Sequence, residues 1–449
     1  MTSNDGPRSK GPLNNSRSKY IIIIGGCLTG LILAQALRNV NRKHPEAPHF
    51  TFDLYERDSH AFARGGGWSL TIHWALTDLR NVLPMEIIER FEDCLVNPEA
   101  AERKDPGNFQ FLNLKTGEKQ HIWPIPLGAA SRVARHKLMA LLMEGLNIQV
   151  SIQKLMRCLF ADLGSKWFKG LERITYPTDS TVSAHFSDGT NVTGDLLIGC
   201  DRANSAVRRS LCPTISQTNR LPVRMIGLSM ERPLSDIQKC LAIDPHFFQG
   251  GDPDSNVYFW HSFIDLPRSA DERTTATCQL MMSWPHCKGF MGRDEPLEVP
   301  ESVEEKLALI RELSTGWAAL FKELVFGTPE DADLREIVLA DWPPQKGAWD
   351  KHNGTVSLVG DAAHAMTMFR GEAANHGVID VSTLIKRLGS TLGESSRVTL
   401  KEVIDDYEEE MITRTRPAVF KSRQACIDAN NFSSVNSESP LISRRAVKD

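Results

Sequence analysis

The first patterned stretch of the chain is Tyr20-Ile-Ile-Ile-Ile24, a continuous and mostly β-branched run without polar alternation. A strand buried on both faces of a parallel sheet has this pattern, because neither face meets water. After a glycine-containing turn, Leu31, Leu33, Ala34 and Leu37 recur at helical spacing, and Phe50 to Tyr55 supplies a second strand. Strand, turn, helix and strand in this order open a doubly wound α/β unit. Further on, Leu138, Leu141 and Leu142 fall on one stripe of a helix predicted over 132–144, with Gly145 as its stop and a strand over 148–152. Alternation in Val182 to Phe186, a Ser-Asp-Gly turn at 187–189 and the apolar run 196–200 predict a hairpin region.

The pattern changes near residue 220. Strand-like runs at 224–230, 257–264 and 275–282 lie among Pro- and Asp-rich loops, which predicts an inserted, mostly antiparallel sheet. A helix over 302–313 follows, then a buried strand over 355–359 that runs into Gly360-Asp361, then helices to about 430. The predicted organisation is a disordered tail over 1–19, an α/β domain in two parts (20–215 and 346–430), a sheet domain over 216–345 and a disordered tail over 431–449. No internal repeat is present.

Composition narrows this only modestly. A chain of 449 residues can bury one large two-lobed unit. Its net charge of -4 provides no field that would recruit nucleic acid or an anionic membrane. No apolar run approaches the roughly eighteen residues needed to cross a bilayer, and the first nineteen carry no signal-peptide core. Nine cysteines without a C-x-x-C pair read as reduced thiols of a cytoplasmic protein, with no disulfide framework or metal site.

The chemistry begins at Gly25-Gly26-Cys27-Leu28-Thr29-Gly30, between the first strand and its helix. In a dinucleotide-binding turn the first glycine bends the chain, the second lets backbone approach a pyrophosphate, and the third lets helix and sheet pack closely. The helix N-terminus then offers free N–H groups to the phosphates. Cys27 stands at the middle glycine, where a side chain is expected to crowd that approach. Glu56 ends the second strand, where a carboxylate can accept hydrogen bonds from both ribose hydroxyls and disfavours a 2′-phosphate.

A second segment lies more than three hundred residues away. Thr355-Val-Ser-Leu-Val-Gly-Asp-Ala-Ala-His364, followed by Phe369-Arg-Gly-Glu-Ala-Ala-Asn-His376, resembles the GDAAH…GxGxN signature of the para-hydroxybenzoate hydroxylase family of FAD monooxygenases. The likeness spans roughly 18–430 and is nearest the salicylate-hydroxylase-like, fungal secondary-metabolite branch. It implies a glutathione-reductase-type FAD-binding Rossmann domain with the inserted sheet as substrate domain. It also implies that Asp361 meets the ribityl chain and that Ala373, Ala374 and Asn375 aim a helix N-terminus at the flavin. By the same resemblance Arg135 lies beside FAD, and the loop Arg64 to Thr71, with Gly67, Trp68 and Thr71, wraps the flavin. Gly199 to Arg208 matches a segment associated with both FAD and NADPH, with Asp201, Ser205 and Arg208 in place.

Cys27, Arg202, Met368 and Ala373 depart from the family pattern at special backbone positions. Arg202 replaces a glycine, so its turn must differ or bear strain. The resemblance implies a monooxygenase that spends NAD(P)H and O2 on a small organic substrate through a flavin C4a-hydroperoxide. The alternatives are a flavin-binding protein of altered activity, or an FAD oxidase or reductase on the same fold. Arg224, Tyr258 and His261, with Trp260, are candidates for the substrate wall; strand alternation puts Tyr258 and Trp260 on one face and His261 on the other.

Overall fold

The computed structural model describes residues 18–45, 50–58, 67–146, 169–392 and 397–444. The strand expected over 148–152, the end of each tail and the Arg64-Gly-Gly portion of the glycine-rich loop lie outside these residues. A four-stranded parallel sheet runs in the order Val356–Leu358, Leu196–Gly199, Lys19–Ile24, Phe50–Tyr55. Ile22 pairs with Leu197 on one side and Asp53 on the other. Its centre is Ile22 and Ile23, both fully buried, as the unbroken apolar run requires. Helix Leu28–Lys43 packs against helix Ala373–Gly389, which brings the two ends of the chain together over this sheet.

The second sheet has seven strands, ordered Arg335–Glu336, Val223–Pro233, Thr275–Pro285, Tyr258–Asp265, Phe247–Gly251, Asn108–Asn113, Lys119–Pro124. Its pairing is antiparallel except where Gln249 to Gly251 run alongside Phe111 to Asn113. The inserted sheet therefore draws two strands from residues well before 216. They form a hairpin whose Gly117 takes φ +79°, a turn signal that the apolar pattern alone did not single out.

Two local expectations give way to tertiary pairing. Arg132 does not begin a helix: Ser131–Ala134 is a strand paired with Ser69–Ile72, and the helix starts at Arg135. A sheet partner satisfies the backbone there before the helix takes over. The stretch after Asn430 is also folded as far as it is described. Val435, Leu441 and Ile442 are buried, the Trp123 indole donates to the Ile442 carbonyl (3.0 Å), and Arg370 reaches the Ser443 hydroxyl (2.9 Å). Three apolar residues without helical or strand period gave no sequence signal. They are ordered by the groove they fill.

The long helix Leu400–Ala429 opens on a capping box of Thr399 and Glu402. It carries Glu408, buried and accepting from the Ser357 hydroxyl (2.7 Å) and the Trp349 indole (3.1 Å). Burial raises this carboxyl from 4.5 to about 7. The folded chain thus holds the proton more tightly than the unfolded one. Its contribution is fully present below about pH 4.5 and is lost as pH rises toward 7, on the order of 2–3 kcal/mol. Glu408→Gln keeps an acceptor but cannot ionise, so its denaturant-unfolding free energy should fall less over that window. Equal slopes in the two proteins would refute the assignment.

Among the described residues no helix is long and apolar enough to cross a membrane.

Candidate active site

Gly25 sits at φ +111°, and its N–H donates to the Tyr55 carbonyl at 2.7 Å. A Cβ there would lie 2.5 Å from the Cys200 carbonyl oxygen, and one on Gly30 would lie 2.0 Å from the Gly25 oxygen. Both glycines are thus required by backbone proximity. Cys27 is different: it takes an extended φ of -78°, and its thiol donates to the Cys200 carbonyl at 2.8 Å. This side chain is directed at the end of the sheet. Burial raises its pKa and keeps it a neutral donor. The helix it precedes has no side-chain cap, so the first-turn N–H groups remain available to an anion.

Glu56 faces this turn. Its carboxylate accepts from the Gly26 N–H and the Asp58 N–H, both at 2.9 Å. Arg202 lies in the left-handed region at φ +70°, the strain expected where a glycine is replaced. That conformation costs about 1 kcal/mol or more. It is offset by an ion pair to Asp58 (2.6 Å) and a longer approach to Glu56 (3.6 Å), which clamp the end of the second strand.

The downstream segment is built on equally specific backbone. Gly360 adopts φ +66° and ψ -143°, and its N–H donates to Asp380 at 2.8 Å. Asp380 is fully buried and also bonds His364 and Arg414, each at 2.7 Å. Asp361 follows, starting a short helix. Its carboxylate lines the cavity and makes no hydrogen bond among the described residues; burial raises its pKa. Arg208, 1% exposed, donates to the Ala362 carbonyl (2.9 Å) and the Ser216 carbonyl (3.0 Å). Asp201 accepts from the Ala206 and Val207 N–H groups, and Ser205 caps the same helix. This trio therefore anchors the backbone that carries Asp361.

A cavity of about 650 Å³ separates the parallel-sheet domain from the large sheet. Thr71, Arg135, Asp361, Ala373 and Ala374 line it, as expected. The half-buried Arg135 has no hydrogen-bond or ion-pair partner for its guanidinium among the described residues, and burial lowers its pKa. Gly25, Gly26, Cys27, Gly30 and Glu56 form the adjoining turn, linked to the cavity by the Asp58–Arg202 pair. Ala373 is the first residue of its helix, and nothing in its helical backbone demands glycine. The Asn375 side chain has a further part: its amide donates to the Thr71 and Gly371 carbonyls and accepts from the His73 N–H. It fastens the Ser69–Ile72 strand to the helix. Gly67 is not among the lining residues; a Cβ there would lie 2.2 Å from the Ser229 hydroxyl. That position is small because the large sheet presses on it.

The large sheet contributes an apolar and aromatic wall, with Phe109, Trp123, Met225, Phe247, Tyr258, Trp260 and Met281. Tyr258 lines the cavity while its hydroxyl donates to Gln249 at 2.8 Å. Two expected wall residues are elsewhere. His261 is 1% exposed, stacked on Phe248 on the far face of the sheet, and burial lowers its pKa to about 3. Arg224 pairs with Glu298 at 2.6 Å, outside the lining residues. Strand alternation explains both: Met225 and Trp260 point inward, so their neighbours point away. Sequence reading missed Arg132, which lines the cavity from the short strand. The alternation of Ser69 to Ile72 was the available signal for its partner strand.

The glycine cradle, the uncapped helix, the unpaired Arg135 and the donor-free Asp361 form an acceptor and donor set that fits a flavin dinucleotide. Comparison with known proteins agrees. Residues 344–421 match the family model described as FAD binding domain. The chain is 41% identical over 445 residues to a probable FAD-dependent monooxygenase of Arthroderma benhamiae, covering 96% of each. It is also 41% identical over 377 residues to the FAD-dependent monooxygenase tazP of Aspergillus terreus, covering 83% of this chain and 89% of that one. A solved salicylate hydroxylase substrate complex shares the fold, with a TM-score of 0.63 at 16% identity over 95% of this chain and 93% of that one. The expected fold, an FAD-binding domain with an inserted sheet, is thereby borne out, and the chain belongs to the FAD-dependent monooxygenases of fungi.

Proposed function

We propose that the protein inserts one oxygen atom from O2 into an aromatic small molecule, by hydroxylation or epoxidation, while two electrons from transiently bound NAD(P)H, oxidised to NAD(P)+, and two protons reduce the other atom to water. The observation that carries this reading is that one cavity is lined both by Asp361, Ala373 and Ala374 and by the aromatic wall of the large sheet. FAD, when bound, supplies the redox and oxygen-transfer chemistry. The residues of this chain bind, orient and exclude water. Ala373 and Ala374, at the start of a seventeen-residue helix, would hold the flavin ring with their N–H groups and the positive end of the helix dipole, which favours negative charge there. Phe247, Trp260, Met225 and Met281 keep the opposite side dry, which limits loss of reducing equivalents to peroxide. A single dinucleotide turn, without a second one for the nicotinamide, supports transient use of NAD(P)H.

Purified protein should carry the visible absorbance of bound flavin. Its NAD(P)H oxidation should rise with members of an aromatic panel, and the product should gain one labelled oxygen from ¹⁸O2. Peroxide formation without labelled product from any panel member would favour an oxidase. Colourless protein that takes up no added FAD would defeat the reading altogether.

A further inference from the structure

We propose that Arg132 anchors an ionised oxygen of the substrate, a carboxylate or a phenolate on an aromatic ring system. This inference rests on the proposed function and deepens it to a substrate class.

Arg132 lies in the strand Ser131–Ala134, opposite Thr71 of the partner strand. It lines the cavity and is only 9% exposed. Its guanidinium donates to the Thr71 hydroxyl at 2.8 Å and to the Ser69 hydroxyl at 2.6 Å. The Ser69 hydroxyl in turn donates to the Phe263 carbonyl at 3.1 Å, which fixes its oxygen as an acceptor for the arginine. Both partners are neutral. The guanidinium has five N–H donors, and its buried Nε has no hydrogen-bond partner among the described residues.

Its surroundings increase the demand for an anion. The cation lies 5.1 Å from the Phe247 ring and 5.7 Å from the Trp260 ring, which stack on each other at 4.8 Å. No ion pair to Arg132 occurs among the described residues. Asp244, the carboxylate whose field reaches it, is engaged by the Asn108, His246 and Phe247 N–H groups. Burial lowers the guanidinium pKa to about 10, which still leaves it charged at neutral pH. A desolvated charge without a counter-ion is costly, and an anion entering from the cavity would relieve that cost.

The cofactor has cations of its own. Arg135 and Arg202 stand near Asp361 and Glu56, whereas Arg132 is held against the aromatic wall of the large sheet. A flat substrate lying on that wall would bring an edge oxygen to a guanidinium fixed in orientation by two hydroxyls. Charge-assisted bonds of this kind are among the stronger ones available in a dry site.

The test uses FAD-loaded full-length protein and reads perturbation of the flavin spectrum, so turnover is not required. Four probes, all used at neutral pH where Arg132 is charged, form two pairs: 1-naphthoate with 1-naphthamide, and pentafluorophenol, ionised there, with pentafluoroanisole. Wild-type protein should bind at least one anion about tenfold or more tightly than its neutral partner. Preference for naphthoate identifies a carboxylate, and preference for pentafluorophenolate a phenolate. In Arg132→Gln the preference should fall to within about twofold while FAD affinity is unchanged. Arg132→Lys should retain part of it, and it keeps the assignment testable should the glutamine variant fold poorly. No charge preference in wild type, or a preference that survives Arg132→Gln, would overturn the proposal. So would a large loss of FAD affinity with the anion preference intact, since that places Arg132 at the cofactor. Charge-dependent binding without NAD(P)H oxidation or oxygen insertion would instead count against the proposed function and leave Arg132 in its role.

Discussion

Asp361→Ala is expected to lower FAD affinity about ten- to hundredfold, read as loss of flavin absorbance on gel filtration and as a weaker titration of cofactor-free protein. The Asp361 carboxylate lines the cavity, is raised in pKa by burial and receives no hydrogen bond among the described residues. An ionised acceptor kept dry without a donor is unfavourable until hydroxyl groups of a ligand complete it. The substitution should therefore leave cofactor-free protein as stable as wild type, or more so, while removing most of the stabilisation that added FAD confers. Asp361→Asn retains an acceptor without the charge and should fall between the two. A purely structural role would have the opposite signature: lower stability without FAD, and an undiminished stabilisation on adding it. Full flavin content in the alanine variant would refute the placement.

The second large effect contrasts two positions three residues apart. Gly30→Ala should destabilise the protein by about 3 kcal/mol or more, because its new Cβ would meet the Gly25 carbonyl oxygen at 2.0 Å. The helix cannot retreat without lifting off the sheet, so FAD affinity should fall as well. Cys27→Gly should change FAD affinity by no more than about threefold, although it restores the residue that a dinucleotide turn usually carries. The backbone at Cys27 is ordinary, at φ -78°, and its thiol is directed at the Cys200 carbonyl. Thermal unfolding and flavin titration of the two variants would check this. A large gain in FAD affinity in Cys27→Gly would show that the thiol does obstruct the pyrophosphate.

These positions also show how legible the site was. Gly25, Gly30, Glu56 and Gly360 could be read from sequence because each answers a local demand: a turn with positive φ, a close backbone contact or the end of a strand. Arg202 was legible as strain for the same reason, and the structure adds its compensation, the pair with Asp58. At Gly67 the structure adds a demand invisible in the sequence, because a Cβ there would meet Ser229 of the large sheet, far away along the chain. At Asn375 the sequence spoke only for the helix N-terminus; that its side chain ties a strand to a helix needed the structure. Arg224 and His261 failed as wall residues because the register of a strand, which decides its inward face, depends on its partners.

What the sequence alone determined was the strand–turn–helix–strand unit, the distant Gly360-Asp361 segment, and with them the fold and the flavin cofactor. Those features live in short-range backbone constraints, which residue type reports directly. Only the tertiary structure decided that residues 108–124 extend the large sheet, that the chain continues as packed structure through Ile442, and that Arg132 ends in the cavity as a buried cation with no ion pair among the described residues. Each of these depends on which surfaces meet, and burial, counter-charge and strand facing are properties of that meeting rather than of any short stretch of chain.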